Sequence, residues 1–360
     1  TLSVMAMAIP TVLMGLLPTY DSIGVLAPIA VVALRIVQGL SVGGEYTSSL
    51  IFLVEHSKPT HRARTAIWGV WGATAGILLG SAIGAAVSNL LSPDQLNLWG
   101  WRLPFLLGAV VAITGYLVRH GIHSPQIAPG STRPIRDTFG KHRWDVIRVA
   151  LLNVGFGTSF YAAFVYSVTY IETVDKLPES VALDLNTGCM VVLLAMLPVA
   201  AWLSDRFGRR PMLIAGGAIL VLGSVPFFMM LQSQDPKAIF LGELGFALAV
   251  ACLSGGAAAG NAELMPSPIR CTGLAFAYNA SIGWLGGTTP MISAWLIHST
   301  GNPVSPAYWI VITGAVTLFT AIFLIPEPRD LALRPEQDDW QLAAEGLPAN
   351  EGNGNQKTEP

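Results

Sequence analysis

The chain is 360 residues long, 52% hydrophobic and only 12% charged, with a mean hydropathy of +0.55. Soluble domains carry about twice that share of charge, which weighs against a soluble globular protein. A formal net charge of −2 offers no basic face for phosphates, so a nucleic-acid partner is not expected.

The charges are clumped, leaving uncharged runs of roughly 18 to 25 residues, enough to cross a bilayer core at about 1.5 Å per residue. The predicted fold is an all-α polytopic membrane protein with ten spans. Their approximate limits are 2–19, 27–54, 65–90, 102–119, 147–171, 184–203, 212–231, 238–260, 271–297 and 307–325, with breaks at Pro, Gly, Asp and Lys clusters. The predicted organisation is an amino-terminal bundle over 1–119, a central loop over 120–146, a carboxyl-terminal six-helix bundle over 147–326 and a polar, disordered tail over 327–360. The opening Thr-Leu-Ser has no signal-peptide pattern and no initiator Met, as expected of a fragment.

In chain order, the second span comes first for chemistry. Arg35, Gln38 and Glu45 lie in it, and offsets of three and seven keep positions 35, 38, 42 and 45 on one helical stripe. Charge inside a span faces a cavity or a partner. The stripe is therefore either a structural Arg–Glu or helix-end contact, or a site for a substrate anion and a coupling proton. At the exit of this span Glu55 precedes Arg62 by seven residues, and Glu263 precedes Arg270 by the same interval. This echo points to a repeated half, as in transporters built from related bundles.

The third span carries Gly72, Gly76, Gly80 and Gly84, a four-residue period that predicts close helix packing. The central loop holds His120 and His123, a pair without a third metal ligand, read as a solvated face. The fifth span is rich in polar groups, Asn153, Thr158, Ser159, Tyr161, Tyr166, Thr169 and Tyr170. They line a water-filled cavity, unless the last tyrosines belong to an interfacial belt.

Between the sixth and seventh spans, Ser204-Asp205-Arg206-Phe207-Gly208-Arg209-Arg210-Pro211 pins one carboxylate among three guanidiniums. In the ninth span Tyr278, Asn279 and the Gly283 to Pro290 stretch predict a bent helix near the same cavity, or a Pro kink satisfied by its neighbours. Cys189, Cys252 and Cys271 show no metal-ligand spacing and pack as small hydrophobes. No metal site, nucleophile elbow or phosphate loop is present in the pattern, so an enzyme is not expected.

Lys and Arg placement sets the orientation. One side collects sixteen of them, including those of the 120–146 loop, Arg206, Arg209, Arg210 and Arg270; the other collects only Arg102, Lys176 and Lys237. The 204–211 loop, the tail and both termini are then cytoplasmic, in a multi-pass protein of the inner membrane.

The 204–211 loop resembles the cytoplasmic signature of the major facilitator superfamily, and Arg35-x-x-Gln38-Gly39 resembles its fourth-helix motif. Leu-Pro-Thr-Tyr-Asp-Ser-Ile-Gly (17–24), Gln-Gly-Leu-Ser-Val-Gly-Gly-Glu-Tyr (38–46) and Trp-Gly-Trp-Arg-Leu-Pro-Phe (99–105) resemble the metabolite:proton symporters, the branch of proline/betaine, citrate, α-ketoglutarate and shikimate carriers. The resemblance covers about residues 1–326 and implies the family's third to twelfth helices, without the first two and their loop. Glu55 and Arg62 would then lack the loop they contact.

It further implies that Asp205, Arg206, Arg209 and Arg210, turned at Gly208, meet Glu263 and Arg270 when the path is closed inside. The implied function is proton-coupled symport of a small organic acid or zwitterion by a monomer in the lipid bilayer. It would use no cofactor and draw its energy from the proton gradient. Arg35, Gln38, Glu45, Asn153, Tyr161, Tyr278 and Asn279 would line the substrate and proton path, with Glu45 as the coupling acid. A transport-inactive fragment is the alternative.

Overall fold

The computed structural model describes residues 2–120 and 133–328, which contain helices and no strand. The middle of the central loop, with His123, and the tail from residue 329 lie outside the described residues. Ten helical rods carry the fold. They are α1 (Leu2–Leu16), α2 (Leu26–Glu55), α3 (Arg62–Leu90), α4 (Gly108–His120), α5 (Arg143–Thr173), α6 (Glu179–Phe207), α7 (Arg209–Leu231), α8 (Pro236–Leu264), α9 and α10 (Pro306–Leu324). The rod α9 is assembled from Arg270–Tyr278, a wide π turn over Asn279–Gly286, and Gly287–Thr300.

Each rod falls on one of the ten predicted spans. Seven of them (α2, α3, α5, α6, α7, α8 and α10) are individually long and apolar enough to cross a membrane. The rods α1 and α4 are shorter, and α9 is interrupted. The interruption has a local cause. Pro290 has no N–H and its ring presses on the carbonyl four residues back, at Gly286, where the π turn ends. The stretch expected to bend therefore holds a wide π turn.

In the amino half, α1 packs on α2 and α4, and α2 packs on α3; in the carboxyl half, α8 sits centrally against α5, α6 and α7. The halves differ in self-sufficiency. None of the most apolar stretch of α2 is buried within the protein, against 61% of that of α8. Small residues let α8 come close to its neighbours: Gly255 faces the Ala200 backbone and Gly256 lies against Leu213 and the Arg209 carbonyl. Many large apolar side chains remain exposed, among them Val32, Ile77, Leu222, Trp284 and Phe323, as lipid-facing surfaces require.

The glycine period of α3 does not do what its spacing predicts. Positions beside Gly72, Gly76, Gly80 and Gly84 are open, with no described atom close enough to meet a side chain there. The buried face of α3 is Ala63, Ala66, Ile67, Val70 and Thr74, about half a helical turn away at about 100° per residue. That face packs on α6 and α8, which turns the glycines outward.

Candidate functional site

The two halves meet at one end of the molecule, through an ionic latch built on the tight turn between α6 and α7. That turn is a single residue. Gly208 has φ +108° and ψ 163°, a backbone region that is essentially glycine's alone. A side chain there would also lie 2.7 Å from the Glu327 carboxylate. Glu327 accepts from the backbone N–H groups of Arg209 (2.6 Å) and Arg210 (3.0 Å). It supplies the negative charge that the start of α7 favours. The first residue of the predicted tail is thus anchored to the carboxyl bundle.

Asp205 does the same for the other half. Its Oδ1 accepts from Ala63 N (3.1 Å), and its Oδ2 accepts from Arg64 N (3.0 Å) and Arg64 Nε (3.2 Å). A carboxylate from α6 therefore caps the N-terminus of α3. Arg209, fully buried, holds that carboxylate from behind. Its Nη1 donates to Asp205 Oδ1 (3.0 Å) and the Ser204 carbonyl (3.1 Å), while Nε and Nη2 fork onto the two oxygens of Glu263 at 3.0 and 3.1 Å. Buried carboxylates and guanidiniums are tolerated here because each has an opposite partner, bidentate in the Arg209–Glu263 pair.

The echoed acids and arginines close the latch crosswise. Arg62 reaches Glu263 at 3.6 Å, and Arg270 donates to Glu55 at 2.6 Å. Each Glu of one half is bound by the Arg of the other half. Without an amino-half loop to meet, Glu55 and Arg62 find their partners in the carboxyl half, where α2 ends and α3 begins beside the end of α8 and the start of α9. The expected meeting of the loop with Glu263 and Arg270 divides. Asp205 and Arg209 join Glu263's network, whereas Arg270 goes to Glu55, Met265 O and Ser267. Arg210 donates instead to the carbonyls of Ala321 and Ile322 at the end of α10, and Arg206 lies over the rings of Trp202 and Phe207.

Above the latch, α2 and α9 touch through Asn279, which donates to the Gly43 carbonyl at 2.9 Å, and through Tyr46 and Tyr278, whose rings are 4.9 Å apart. With Val70, Asn153, Phe156 and Asn261 they line a narrow crevice at the junction of the halves. Asn153 and Asn261 bridge α5 and α8 by reciprocal hydrogen bonds of 2.9 and 3.1 Å. Tyr161 packs on Gly286 of α9. Beyond Gly43, Arg35, Ile36 and Val32 of α2 are exposed, as are Trp284, Met291 and Trp295 of α9.

The predicted stripe of α2 separates in this arrangement. Gln38 donates to Thr11 of α1 at 2.6 Å. At about 100° per residue, Arg35 and Tyr46 lie only about 20° apart, while Gln38 and Glu45 are turned by roughly 60–80° to one side. Arg35 therefore shares the face that meets α9, and Gln38 belongs to packing within the amino half.

Three residues of this architecture escaped the sequence reading. Arg64 donates its own backbone N–H to Asp205, and Glu327 accepts from backbone N–H groups, contacts that leave no trace in side-chain patterns. Glu243 had a readable signal, a lone acid among apolar residues inside α8; it is fully buried.

The family model described as "Sugar (and other) transporter" matches residues 1–126 and 123–333. The glycine betaine/proline/ectoine/pipecolic acid transporter OusA of Dickeya dadantii (strain 3937) is 31% identical over 339 residues, covering 90% of this chain and 68% of that protein. The proline/betaine transporter of Escherichia coli (strain K12) is 30% identical over 350 residues, covering 93% and 69%. Among solved structures, the major facilitator superfamily proton:xylose symporter XylE superposes with a TM-score of 0.69 at 17% identity, over 89% of this chain and 78% of that one. The transporter FucP in its outward conformation gives 0.65 at 15% identity, over 90% and 83%.

Proposed function

Because this chain belongs to the sugar (and other) transporter family of the major facilitator superfamily, we propose that it carries a small zwitterion or organic acid across the inner membrane together with protons. One observation carries this reading. The halves are clamped by the crosswise charges of Glu55–Arg270 and Arg62–Glu263 and by Asp205 on α3, all at one end, while Arg35 stands exposed beyond the contact. A two-bundle protein clamped at a single end is one state of an alternating-access cycle, and ion pairs that can break and re-form bias its equilibrium.

The Lys and Arg distribution assigns the clamped end to the cytoplasm, so this is the outward-facing state, with both termini inside. The amino bundle comprises residues 1–119 and the carboxyl bundle residues 147–327, joined by the central loop and acting as a monomer in lipid. The exposed guanidinium of Arg35 suits a substrate that carries a carboxylate. Arg35, eleven residues and about 16 Å from Tyr46 along one helix face, offers a guanidinium to a carboxylate near the mouth. Glu45 stays in the proton path as a candidate on the neighbouring face of α2. The proton gradient supplies the energy, with no cofactor.

The test is uptake of labelled proline and glycine betaine into proteoliposomes holding the full chain. An inward proton gradient should drive accumulation that a protonophore abolishes. Accumulation indifferent to the protonophore would overturn proton coupling, and none for any zwitterion or organic acid would overturn the substrate class.

A further inference from the structure

Glu243 stands apart from the latch, seven residues into α8 and about 10 Å from the helix end at Pro236. It is 0% exposed, and neither of its carboxyl oxygens has a hydrogen-bond partner. The contrast with the other buried acids is direct. Asp205 and Glu263 are each held by arginine, whereas no ion pair reaches Glu243 among the described residues. An ionised carboxylate in that position would be a bare charge inside an apolar bundle, which costs far more than a lost hydrogen bond.

The surroundings favour a neutral carboxyl group for a second reason. The hydroxyl of Ser167 on α5 lies beside the carboxyl group. Its one proton is donated to the Ala163 carbonyl at 2.7 Å, and it accepts from Asn186 Nδ2 at 2.9 Å. A hydroxyl so committed has a lone pair left and no proton to give. It can receive an O–H from a carboxylic acid and has nothing to offer a carboxylate. Asn186 is likewise spent, on Ser167 and on Ala163 O at 3.3 Å. Ala163 can take both donors because it lies in the wide π turn Ala162–Tyr166 of α5, a local geometry that recurs at functional sites.

The groups facing Glu243 contain no counter-charge. On α5 the buried titratable residues are Tyr166 and Tyr170; on α6 they are Cys189, near Glu243, and Asp205, at the latch end. The adjoining part of α7 brings Phe228 and Leu231. Asp175, in the connection after α5 and close to Tyr170, is also buried with Oδ2 unpartnered, and burial pushes its carboxyl up to about 6.

We propose that Glu243 is the proton-carrying group of the carboxyl bundle, protonated while the latch is closed and released to water when the bundle rearranges about the wide turn of α5. The assignment rests on the proton-symport reading above. Its chemistry is one reversible step, in which a proton from water binds a carboxylate oxygen and returns to water in the other state.

The full chain in proteoliposomes, with labelled proline and glycine betaine as probes, provides the test. Infrared difference spectra between wild type and Glu243→Gln should show the carbonyl stretch of a protonated carboxyl group lost in the variant. Glu243→Gln keeps the shape and a neutral donor, so it should unfold at the wild-type temperature yet lose proton-driven accumulation by tenfold or more. Glu243→Asp should recover part of it with a displaced pH profile. Wild-type accumulation and pH profile in Glu243→Gln would overturn the proposal, as would absence of the band from a wild type whose uptake is proton-driven. Uptake by wild type without any proton dependence would instead overturn the symport reading, and this assignment with it.

Discussion

Two Glu-x6-Arg pairs, Glu55/Arg62 and Glu263/Arg270, meet in the latch, one from each half, and live in opposite electrostatic conditions. Glu263 is fully buried and forked by Arg209, with Arg62 beyond; the Glu55 side chain is 43% exposed and meets Arg270 alone. The pairing is reciprocal, but the burial is not. The difference lies in the turn at Gly208. It places Asp205 and Arg209 beside Glu263 and against the start of α3, and the described residues of the amino half hold no such turn near Glu55. One copy is thus the core of the latch and the other its rim.

The largest effect should follow from breaking the core copy. Glu263→Gln leaves Arg209 and Arg62 facing each other without their shared carboxylate. Removing one partner of a buried pair costs about 3–5 kcal/mol, so thermal unfolding of the purified variant should fall sharply. Pairing it with Arg209→Leu should return part of the loss.

Gly208→Ala comes next. The dihedral strain alone is of order 1–3 kcal/mol, and the new methyl meets the Glu327 carboxylate. Adding Glu327→Ala clears the contact but leaves the dihedral, so the double variant should stay well below wild type in unfolding temperature. Full recovery would show that the contact, and not the turn, demands glycine.

Asp205→Asn acts on the equilibrium between states more than on folding. Asparagine keeps an acceptor for the N-terminus of α3 but loses the charge that Arg209 and Arg64 hold. Hydrogen bonds to charged groups are worth about 1.5–3 kcal/mol. A loss at the lower end opens the latch roughly tenfold more often. A cysteine placed at Val70, buried beside the junction, should react correspondingly faster with a thiol reagent applied from the latch side. Unchanged labelling would remove Asp205 from the latch.

Much of this was legible in sequence because lipid enforces it. Uncharged runs located all ten rods, and the clump of charges at 204–211 with the two Glu-x6-Arg copies located the latch. What stayed hidden was direction. Spacing placed Gln38 with Arg35, but a 60° turn was enough to send it to Thr11 of α1. The glycines of α3 were correctly periodic, yet periodicity does not say which face finds a neighbour. Asp205 was read as a partner for arginines, although half of its bonds go to the backbone N–H groups of Ala63 and Arg64. Glu243 shows the opposite failure. Its signal is a single acid in an apolar run with no counter-charge in the pattern, and that lack of a partner is what makes it informative.

The rim copy gives the smallest effect and the sharpest check on the comparison. Glu55→Gln removes an ion pair whose acid is already in contact with solvent, and such pairs are worth about 0–1 kcal/mol. Arg270 is itself buried, but it keeps its hydrogen bonds to Met265 O and Ser267 Oγ, so the cost should stay well below that of Glu263→Gln. The unfolding temperature should barely move, and what movement there is should disappear in high salt, which screens exposed pairs. Glu263→Gln should keep its deficit at every salt concentration, because its guanidiniums are shut away from ions. If the two variants responded alike in size and salt dependence, the distinction between core and rim would fail, and the latch would be a symmetric pair of bridges to which the Gly208 turn adds nothing.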